Sequence, residues 1–281
     1  MPEISSPRSG TTRPSGQVLL AEDNTINQRV AAAMLEHLGF DVDIVADGPE
    51  AVRAAILTPY RAILMDCQIP GLDGYQATSE IRRLQGPSRR TPIIAVTASA
   101  TESDEQRCLD AGMDDHLAKP LSLKSLAAVL ARWAPAGSLA TIADGPAVPV
   151  QAGDAAARHT ADSGRAALDA HIVDRLERLG SATGQDLMGE LATLFLADAD
   201  MRLSALRQAL ADNDAAAVVR SAHTLSGSSA NLGATDLARL CATLATDTAA
   251  GDLVGSSALC DGIESELGRV RSALGSLVPT T

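Results

Sequence analysis

The stretch RAILMDC, residues 61–67, holds four apolar residues in succession and then Asp66. Short apolar runs that end in polar or turn residues are typical of strands buried on both faces of a parallel sheet. Four other runs between residues 17 and 135 have the same form, namely QVLLAED, DVDIVAD, PIIAVTA and DHLAKP. The sequence therefore predicts five buried strands in its first half.

Segments with helical periodicity separate these strands. The segment PEAVRAAIL has Pro49 in its first turn, and INQRVAAAMLEHLGF stops at Gly39 after apolar residues at Ile26, Val30, Ala33, Met34 and Leu38. Strands that alternate with helices in this way predict a doubly wound α/β domain with a five-stranded parallel sheet at residues 17–134.

The rest of the chain has a different character. Residues 1–16 and 135–168 are rich in Ala, Gly, Pro and Ser, which predicts a disordered tail and a flexible linker. Helical periodicity returns at residues 169–279 without strand patterns, and four helical segments with short polar joins predict a separate four-helix bundle.

Charge and composition exclude several classes of protein. The net charge of −12 argues against a surface for nucleic acid or anionic membranes, because both need basic patches. The four cysteines stand singly, which indicates neither a disulfide framework nor a zinc cluster. No stretch approaches the roughly 18 apolar residues of a membrane span. We expect a soluble, cytoplasmic protein without direct membrane insertion.

Charged and hydroxyl side chains lie at the ends of the predicted strands, where doubly wound sheets bind their ligands. Glu22 and Asp23 end the first strand, Asp66 the third and Thr97 the fourth, and Lys119 ends the fifth. Three carboxylates at one edge repel each other unless a cation joins them. A hard divalent ion, most naturally Mg2+, and the Lys119 ammonium both answer that need.

This set of residues suits phosphoryl transfer. Mg2+ and Lys119 would neutralise the phosphoryl oxygens, Thr97 would donate a hydrogen bond, and Asp66 would attack phosphorus in line. The plainer alternative is that acidic residues at strand ends cap helices or face solvent. That alternative explains any one of these residues well, but it explains the whole set poorly.

The stretches LLAEDNTINQ, ILMDCQIPGLDGYQA, IIAVTA and DDHLAKP resemble the response-regulator receiver domain, especially that of hybrid sensor kinases. The resemblance covers about residues 17–134 and implies the flavodoxin-like strand order 2-1-3-4-5. It implies that Asp66 is the phosphoacceptor, and that Glu22, Asp23 and the backbone carbonyl of Gln68 help to hold Mg2+.

The same resemblance assigns roles in switching. Thr97 and Lys119 would sense the phosphoryl group, and the Lys119–Pro120 peptide bond would be cis. His116 occupies the position at which the family usually has an aromatic switch residue, Tyr or Phe. Ala98 is small and would leave the pocket open to a docking partner.

The stretch AHTLSGSSANLGA, residues 222–234, places His223 among small residues. On a helix, His223 lies beside the inward stripe, which consists of Val218, Ala222, Leu225, Ser229 and Leu232. Its own face carries Ser226, Gly227, Ala230 and Asn231. A glycine inside a helix costs about 0.5–1 kcal/mol relative to alanine. Clearing space around an exposed imidazole is one reason to keep Gly227.

HTLSGSSANLGA resembles the histidine-containing phosphotransfer (HPt) domain, whose motif is His-x-Leu-Lys-Gly-x-Ser/Ala with a later Gly-Ala. The resemblance spans about residues 170–278 and implies that His223 is phosphorylated. Ser226 stands where the family usually has lysine, one turn from the imidazole. We expect slower transfer without that cation, although the Ser226 hydroxyl could hydrogen-bond a phosphoryl oxygen.

Together the two resemblances imply a phosphorelay protein of two-component signalling, with a histidine kinase and another receiver protein as partners. No ATP-binding kinase module is recognisable, so we expect a phosphocarrier and not an autonomous enzyme. One alternative is a switched binding module in which the receiver gates the bundle and His223 transfers little. Another is a dehalogenase-type phosphatase, but Gln68 stands where such enzymes need a second aspartate.

Overall fold

A computed structural model of the chain describes residues 16–86, 90–97, 102–134, 167–251 and 255–277. The predicted tail apart from Gly16, nearly all of the predicted linker, and Ala98 lie outside these residues. The first part alternates strands and helices: β1 (Gln17–Ala21), α1 (Thr25–His37), β2 (Asp41–Val45), α2 (Gly48–Leu57), β3 (Ala62–Asp66), α3 (Gly74–Gln85), β4 (Ile93–Thr97), α4 (Glu102–Ala111), β5 (Asp115–Ala118) and α5 (Leu123–Trp133).

The five strands form one parallel sheet in the order β2-β1-β3-β4-β5, which confirms the predicted topology. Every residue of β3 and β4 is buried, as their uninterrupted apolar runs predict. Met65 pairs with Ala21 on one side and Ala95 on the other, so β3 lies at the centre of the sheet. Because all strands are parallel, their carboxyl ends meet at one edge.

Side-chain caps fix where the helices begin after these strands. The Asn24 side chain accepts hydrogen bonds from the first turn of α1, and Asp73 forms a capping box with Gln76 at the start of α3. Gly74 follows Asp73, and a β-carbon there would lie 2.2 Å from the carbonyl oxygen of Asp66. Only glycine therefore lets α3 begin so close to the end of β3.

The described residues of the C-terminal part form helices joined by short turns, and they contain no strand. It comprises α6 (Ala170–Thr183), α7 (Leu187–Ala211), α8 (Ala215–Leu232), α9 (Thr235–Ala249) and α10 (Ser256–Leu277). The four helical segments predicted from the sequence correspond to α7–α10, and α6 precedes them. The chain forms two compact units, of which one contains the sheet and the other contains α8, α9 and α10.

Helix α8 packs against α9, and α9 packs against α10. The predicted inward stripe of α8 is buried at all five positions. The helix ends at Gly233, whose φ of 83° is the left-handed conformation that favours glycine. None of the helices within the described ranges combines the length and the apolar character needed to cross a bilayer.

Candidate functional site

Three carboxylates and one ammonium meet at the carboxyl edge of the sheet. Lys119 Nζ donates to Glu22 Oε2 at 2.7 Å and to Asp66 Oδ2 at 2.8 Å. Glu22, Asp23 and Asp66 each offer a carboxylate oxygen, and these three oxygens lie within 4.8 Å of one another. The structure thus brings together four of the residues that the sequence placed at strand ends.

The Glu22 carboxylate is held from three directions. Its Oε1 accepts hydrogen bonds from the Asn24 backbone at 3.2 Å and from Asn27 Nδ2 at 3.0 Å, while Oε2 faces Lys119. Gln28 Nε2 donates to the Glu22 carbonyl oxygen at 2.6 Å. Asn27 and Gln28 were not among the site residues predicted from the sequence. Their place in the first turn after Asp23 was the available signal, because that turn lies against the strand end.

The Asp66 carboxylate is held by the loop that follows it and by Lys119. Its Oδ1 accepts a hydrogen bond from the Gln68 backbone N–H at 3.0 Å, which places the Gln68 main chain beside the carboxylate. Thr97 is buried at the end of the neighbouring strand, and its carbonyl oxygen accepts the Lys119 N–H at 2.7 Å. The Lys119–Pro120 peptide bond is cis, as the resemblance implied.

His116 lies on the edge strand β5 and is half-buried. It pairs in register with Ala95 of β4, and the Asp115 carboxylate accepts its backbone N–H at 2.9 Å. These bonds fix the backbone of His116 and leave its role as a switch a prediction.

Burial and charge set the protonation of this cluster. Burial raises the pKa of Asp66, and the Lys119 ammonium opposes that shift without cancelling it. Burial also raises the pKa of Glu22, and the negative charge of Asp66 adds to the effect. Burial would lower the pKa of Lys119, but its attraction to Asp66 and Glu22 outweighs this and raises it. Lys119 is therefore a firmly protonated partner for carboxylates that are costly to ionise.

The donor set fits a hard divalent cation. Three carboxylates face a single ammonium, so the cluster carries excess negative charge in a mostly buried place. All the side chains that could bind a cation there offer oxygen, which is the ligand atom that Mg2+ prefers. The residues present therefore suit Mg2+ and not a thiolate-bound metal.

Cys67 follows Asp66 directly and does not compete with it as a nucleophile. The thiol is buried, and burial raises its pKa to about 12. A thiol with that pKa stays protonated near neutral pH, and the thiolate is the reactive form. Of these two neighbours, Asp66 and not Cys67 is the candidate nucleophile at this strand end.

His223 lies near the middle of α8 and is half-buried, as are Gly227 and Ala230. Asn231, which we expected on the same face, is buried instead. Eight residues along an α-helix rotate a side chain by about 80°, which carries Asn231 away from the imidazole and toward the packed side. The accessible face around His223 is therefore narrower than predicted, because it does not include Asn231.

Ser226 departs further from its expected role. Its hydroxyl donates a hydrogen bond at 2.9 Å to the carbonyl oxygen of Ala238 on α9. A hydroxyl has one proton to donate, so Ser226 uses it to join α8 to α9. The expectation that this hydroxyl donates to a phosphoryl oxygen on His223 is not met in this arrangement.

Comparison with known proteins matches two family models. Residues 18–131 match the response regulator receiver domain, and residues 190–273 match the Hpt domain. The sensor histidine kinase GacS of Pseudomonas protegens is 31% identical over 240 residues, which cover 84% of this chain and 25% of the kinase. The sensor protein GacS of Pseudomonas syringae pv. syringae is 32% identical over 232 residues, or 80% of this chain and 24% of that protein.

Among solved structures, the chain is similar to the receiver domain of sensor histidine kinase PA1611 from Pseudomonas aeruginosa PAO1, described with a magnesium ion coordinated in its active site cleft. The identity is 54%, the TM-score is 0.40, and the match covers 42% of this chain and 96% of that one. The chain spans about a quarter of the length of the curated sensor kinases that it matches. By the two family matches, this chain combines a response regulator receiver domain at residues 18–131 with an Hpt domain at residues 190–273.

Proposed function

We propose that this chain is a phosphorelay module of two-component signalling, in which Asp66 accepts a phosphoryl group and His223 exchanges one with a receiver aspartate. Receiver and Hpt domains in one chain are typical of such relays. The observation that carries the proposal is the Lys119 ammonium, which bridges Asp66 and Glu22 at the carboxyl edge of a receiver sheet. That arrangement holds a carboxylate nucleophile beside positive charge.

The receiver site would work by positioning and charge neutralisation. Glu22, Asp23, Asp66 and the Gln68 carbonyl would hold Mg2+, which supplies positive charge for the phosphoryl oxygens when bound. An Asp66 oxygen forms a new bond to phosphorus while the bond from phosphorus to the donor's histidine nitrogen breaks, and the imidazole leaves. Lys119 faces the developing charge.

Thr97 and His116 would respond to the phosphorylation of Asp66. Thr97 is buried at the end of β4, next to β3 and its Asp66. Its hydroxyl would donate a hydrogen bond to a phosphoryl oxygen on Asp66. His116 on the adjacent strand would move inward in response, in the manner of the aromatic residue that it replaces.

In the Hpt step, the phosphoryl group would move from a receiver aspartate to a histidine, which is the reverse of the first step. One imidazole nitrogen of His223 forms a bond to phosphorus, while the bond from phosphorus to a receiver aspartate breaks and leaves a carboxylate. The half-buried position of His223 keeps the helix packed while the ring stays within reach of a docked receiver.

The partners that this chemistry requires are a histidine kinase as donor and a second receiver protein as acceptor. The kinase could be a separate protein or the remainder of a longer hybrid kinase, because the relatives extend well beyond the matched part. We place the module in the cytoplasm, which fits the four free, buried cysteines and the reducing compartment that keeps thiols free. On this proposal the chain is a phosphocarrier that depends on its partners for ATP.

Radiolabelled acetyl phosphate with Mg2+ tests the proposal on the full chain. We expect base-labile acyl phosphate in the parent chain and none in Asp66→Asn. Acid-labile, base-stable phosphohistidine should appear in the parent and be absent from His223→Gln. Acyl phosphate that persists in Asp66→Asn would contradict the assignment.

One observation favours a second candidate function. The Ser226 hydroxyl is bonded to α9 at a position where a lysine would assist transfer, which suits a switched binding module with an inefficient histidine. The same experiment separates the two functions. Label that stays on Asp66, never reaching His223 or an added receiver, would favour the switch.

A further inference from the structure

The Hpt helix carries one charged residue. Helix α8 runs from Ala215 to Leu232, and Arg220 is the only Asp, Glu, Lys or Arg within it. Arg220 stands three residues before His223, which puts the two side chains on neighbouring rows of the helix surface, with their β-carbons about 5–6 Å apart. The single formal charge of this helix therefore lies one turn from the imidazole.

Helix geometry places Arg220 and Ser226 on opposite flanks of His223. Three residues in either direction rotate a side chain by about 60° from the histidine, to one side for Arg220 and to the other for Ser226. The Ser226 flank is the one that faces α9, since its hydroxyl bonds the Ala238 carbonyl. The Arg220 flank is turned away from that contact.

The direction of the histidine side chain favours the same flank. Side chains on an α-helix lean toward its N-terminus and cover the turn that precedes them. We expect the imidazole of His223 to lean toward the turn that contains Arg220, and the Arg220 side chain, which leans the same way, to fold back to meet a phosphoryl group there. A phosphoryl group on the ring would be carried further in that direction.

Arg220 is also available to bind an anion. It is exposed, and in the described part of the chain its side chain forms neither an ion pair nor a hydrogen bond. Other arginines of the helical part are engaged, such as Arg271 with Asp200 and Arg269 with Glu266. A guanidinium can donate two parallel hydrogen bonds to phosphoryl oxygens.

We propose that Arg220 binds the phosphoryl group on His223 and supplies the positive charge that Ser226 lacks. This inference rests on the proposed function, since it assumes that His223 is phosphorylated. The family usually has its cation, a lysine, in the turn after the histidine. In this chain Arg220 would supply the cation from the turn before it, and Ser226 would join α8 to α9.

The test loads His223 from phosphoramidate in the full chain with Asp66→Asn, so that the histidine is the only expected acceptor. Imidazole nitrogen forms a bond to phosphorus while the bond from phosphorus to nitrogen of the donor breaks and ammonia leaves. We expect Arg220→Gln to slow this labelling about fivefold, and Arg220→Lys to keep at least half of the rate. Arg271→Gln removes an exposed arginine of α10, together with its ion pair to Asp200, and is the control for loss of one positive charge.

Salt and a second substitution separate charge from structure. With Arg220 present the rate should fall as ionic strength rises, because the Debye length shrinks from about 10 Å at 0.1 M to about 3 Å at 1 M. Arg220→Gln should lose most of that dependence. Ser226→Lys should restore the rate in the Arg220→Gln chain and change it little when Arg220 is present.

The outcomes distinguish the proposed role of Arg220 from the proposed role of His223. Equal rates and equal salt dependence for Arg220→Gln and Arg271→Gln, with label on His223, would overturn the inference alone. Failure of His223 to take label in the chain that retains Arg220 would overturn its proposed role and the inference with it. Circular dichroism of each variant shows whether the bundle is folded in every comparison.

Discussion

Replacing Asp66 with asparagine should stabilise the receiver domain when Mg2+ is absent. The substitution keeps the size of the side chain and removes one of three negative charges from a buried edge of the sheet. Lys119 keeps its contact with Glu22 in the variant. The receiver domain would then be less stable with its native, ionisable Asp66 than with an asparagine at the same position.

The size of the effect follows from the distances. At an effective dielectric constant of 20, the Asp66 attraction to Lys119 across 2.8 Å is about 6 kcal/mol. Repulsion from Glu22 and Asp23 across 4.8 Å or less is at least about 3.5 kcal/mol each, which together slightly exceeds that attraction. Relief of desolvation adds to the gain, and the lost hydrogen bond of the amide subtracts about 1 kcal/mol. We expect a net gain of about 2 kcal/mol.

Trp133 makes the assay selective for the receiver domain. It is the only tryptophan in the chain, it lies in α5, and its Nε1 donates to Asp115 at 2.7 Å. Urea unfolding followed by its fluorescence, in buffer with a chelator at pH 7, should show the midpoint of Asp66→Asn raised by about 1 M. Asp41→Asn, an exposed change of the same chemistry on β2, should shift it by far less.

Low pH and saturating Mg2+ should each reduce the stability that Asp66→Asn gains over the parent chain. A carboxyl whose pKa is raised in the folded state destabilises the fold only while it is ionised, so the gain should shrink as pH falls toward about 4. Saturating Mg2+ should stabilise the parent chain more than the variant, since the amide is the weaker ligand. A lower urea midpoint for Asp66→Asn than for the parent at pH 7 without Mg2+ would refute the electrostatic argument.

Asn27→Leu should weaken Mg2+ binding about tenfold by calorimetry, because it removes a donor that orients Glu22; unchanged affinity would show that the Lys119 contact alone is enough. Gly74→Ala should cost about 2–3 kcal/mol in urea unfolding, since its methyl group would collide with the Asp66 carbonyl oxygen; a neutral result would mean that α3 can shift freely. Asp114 has a buried side chain that pairs with both Arg82 and Arg90. Arg82→Met should cost about 2 kcal/mol in the same assay, because Asp114 would lose one of these two cations; an unchanged midpoint would mean that Arg90 alone is enough.

Much of the fold was predictable because the strands carry strong local signals. The runs before Asp66 and Thr97 are apolar without interruption, and buried parallel strands require that pattern. Once the sheet is parallel, residues at successive strand ends must meet at one edge. The convergence of Glu22, Asp66 and Lys119 follows from topology as much as from any motif.

Contacts between elements were less predictable. Helix α6 has an apolar stripe at Ile172, Leu176 and Leu179, yet it was not among the four segments predicted. The bond from Ser226 to Ala238 depends on how α8 meets α9, which no local pattern in either helix encodes. The hydrogen bond of Asn27 to Glu22 likewise depends on the angle at which α1 leaves the sheet.

The contact between Lys119 and Glu22 spans a long distance across the sheet. Lys119 follows β5 and Glu22 follows β1, and the order of the sheet leaves β3 and β4 between them. With neighbouring strands about 4.8 Å apart, the two main chains are separated by about 14 Å, which two long side chains must cross. The Glu22 side chain therefore contributes its length as well as its charge to this contact. An aspartate there would be one methylene shorter, would withdraw from the ammonium, and would leave Lys119 to Asp66 alone.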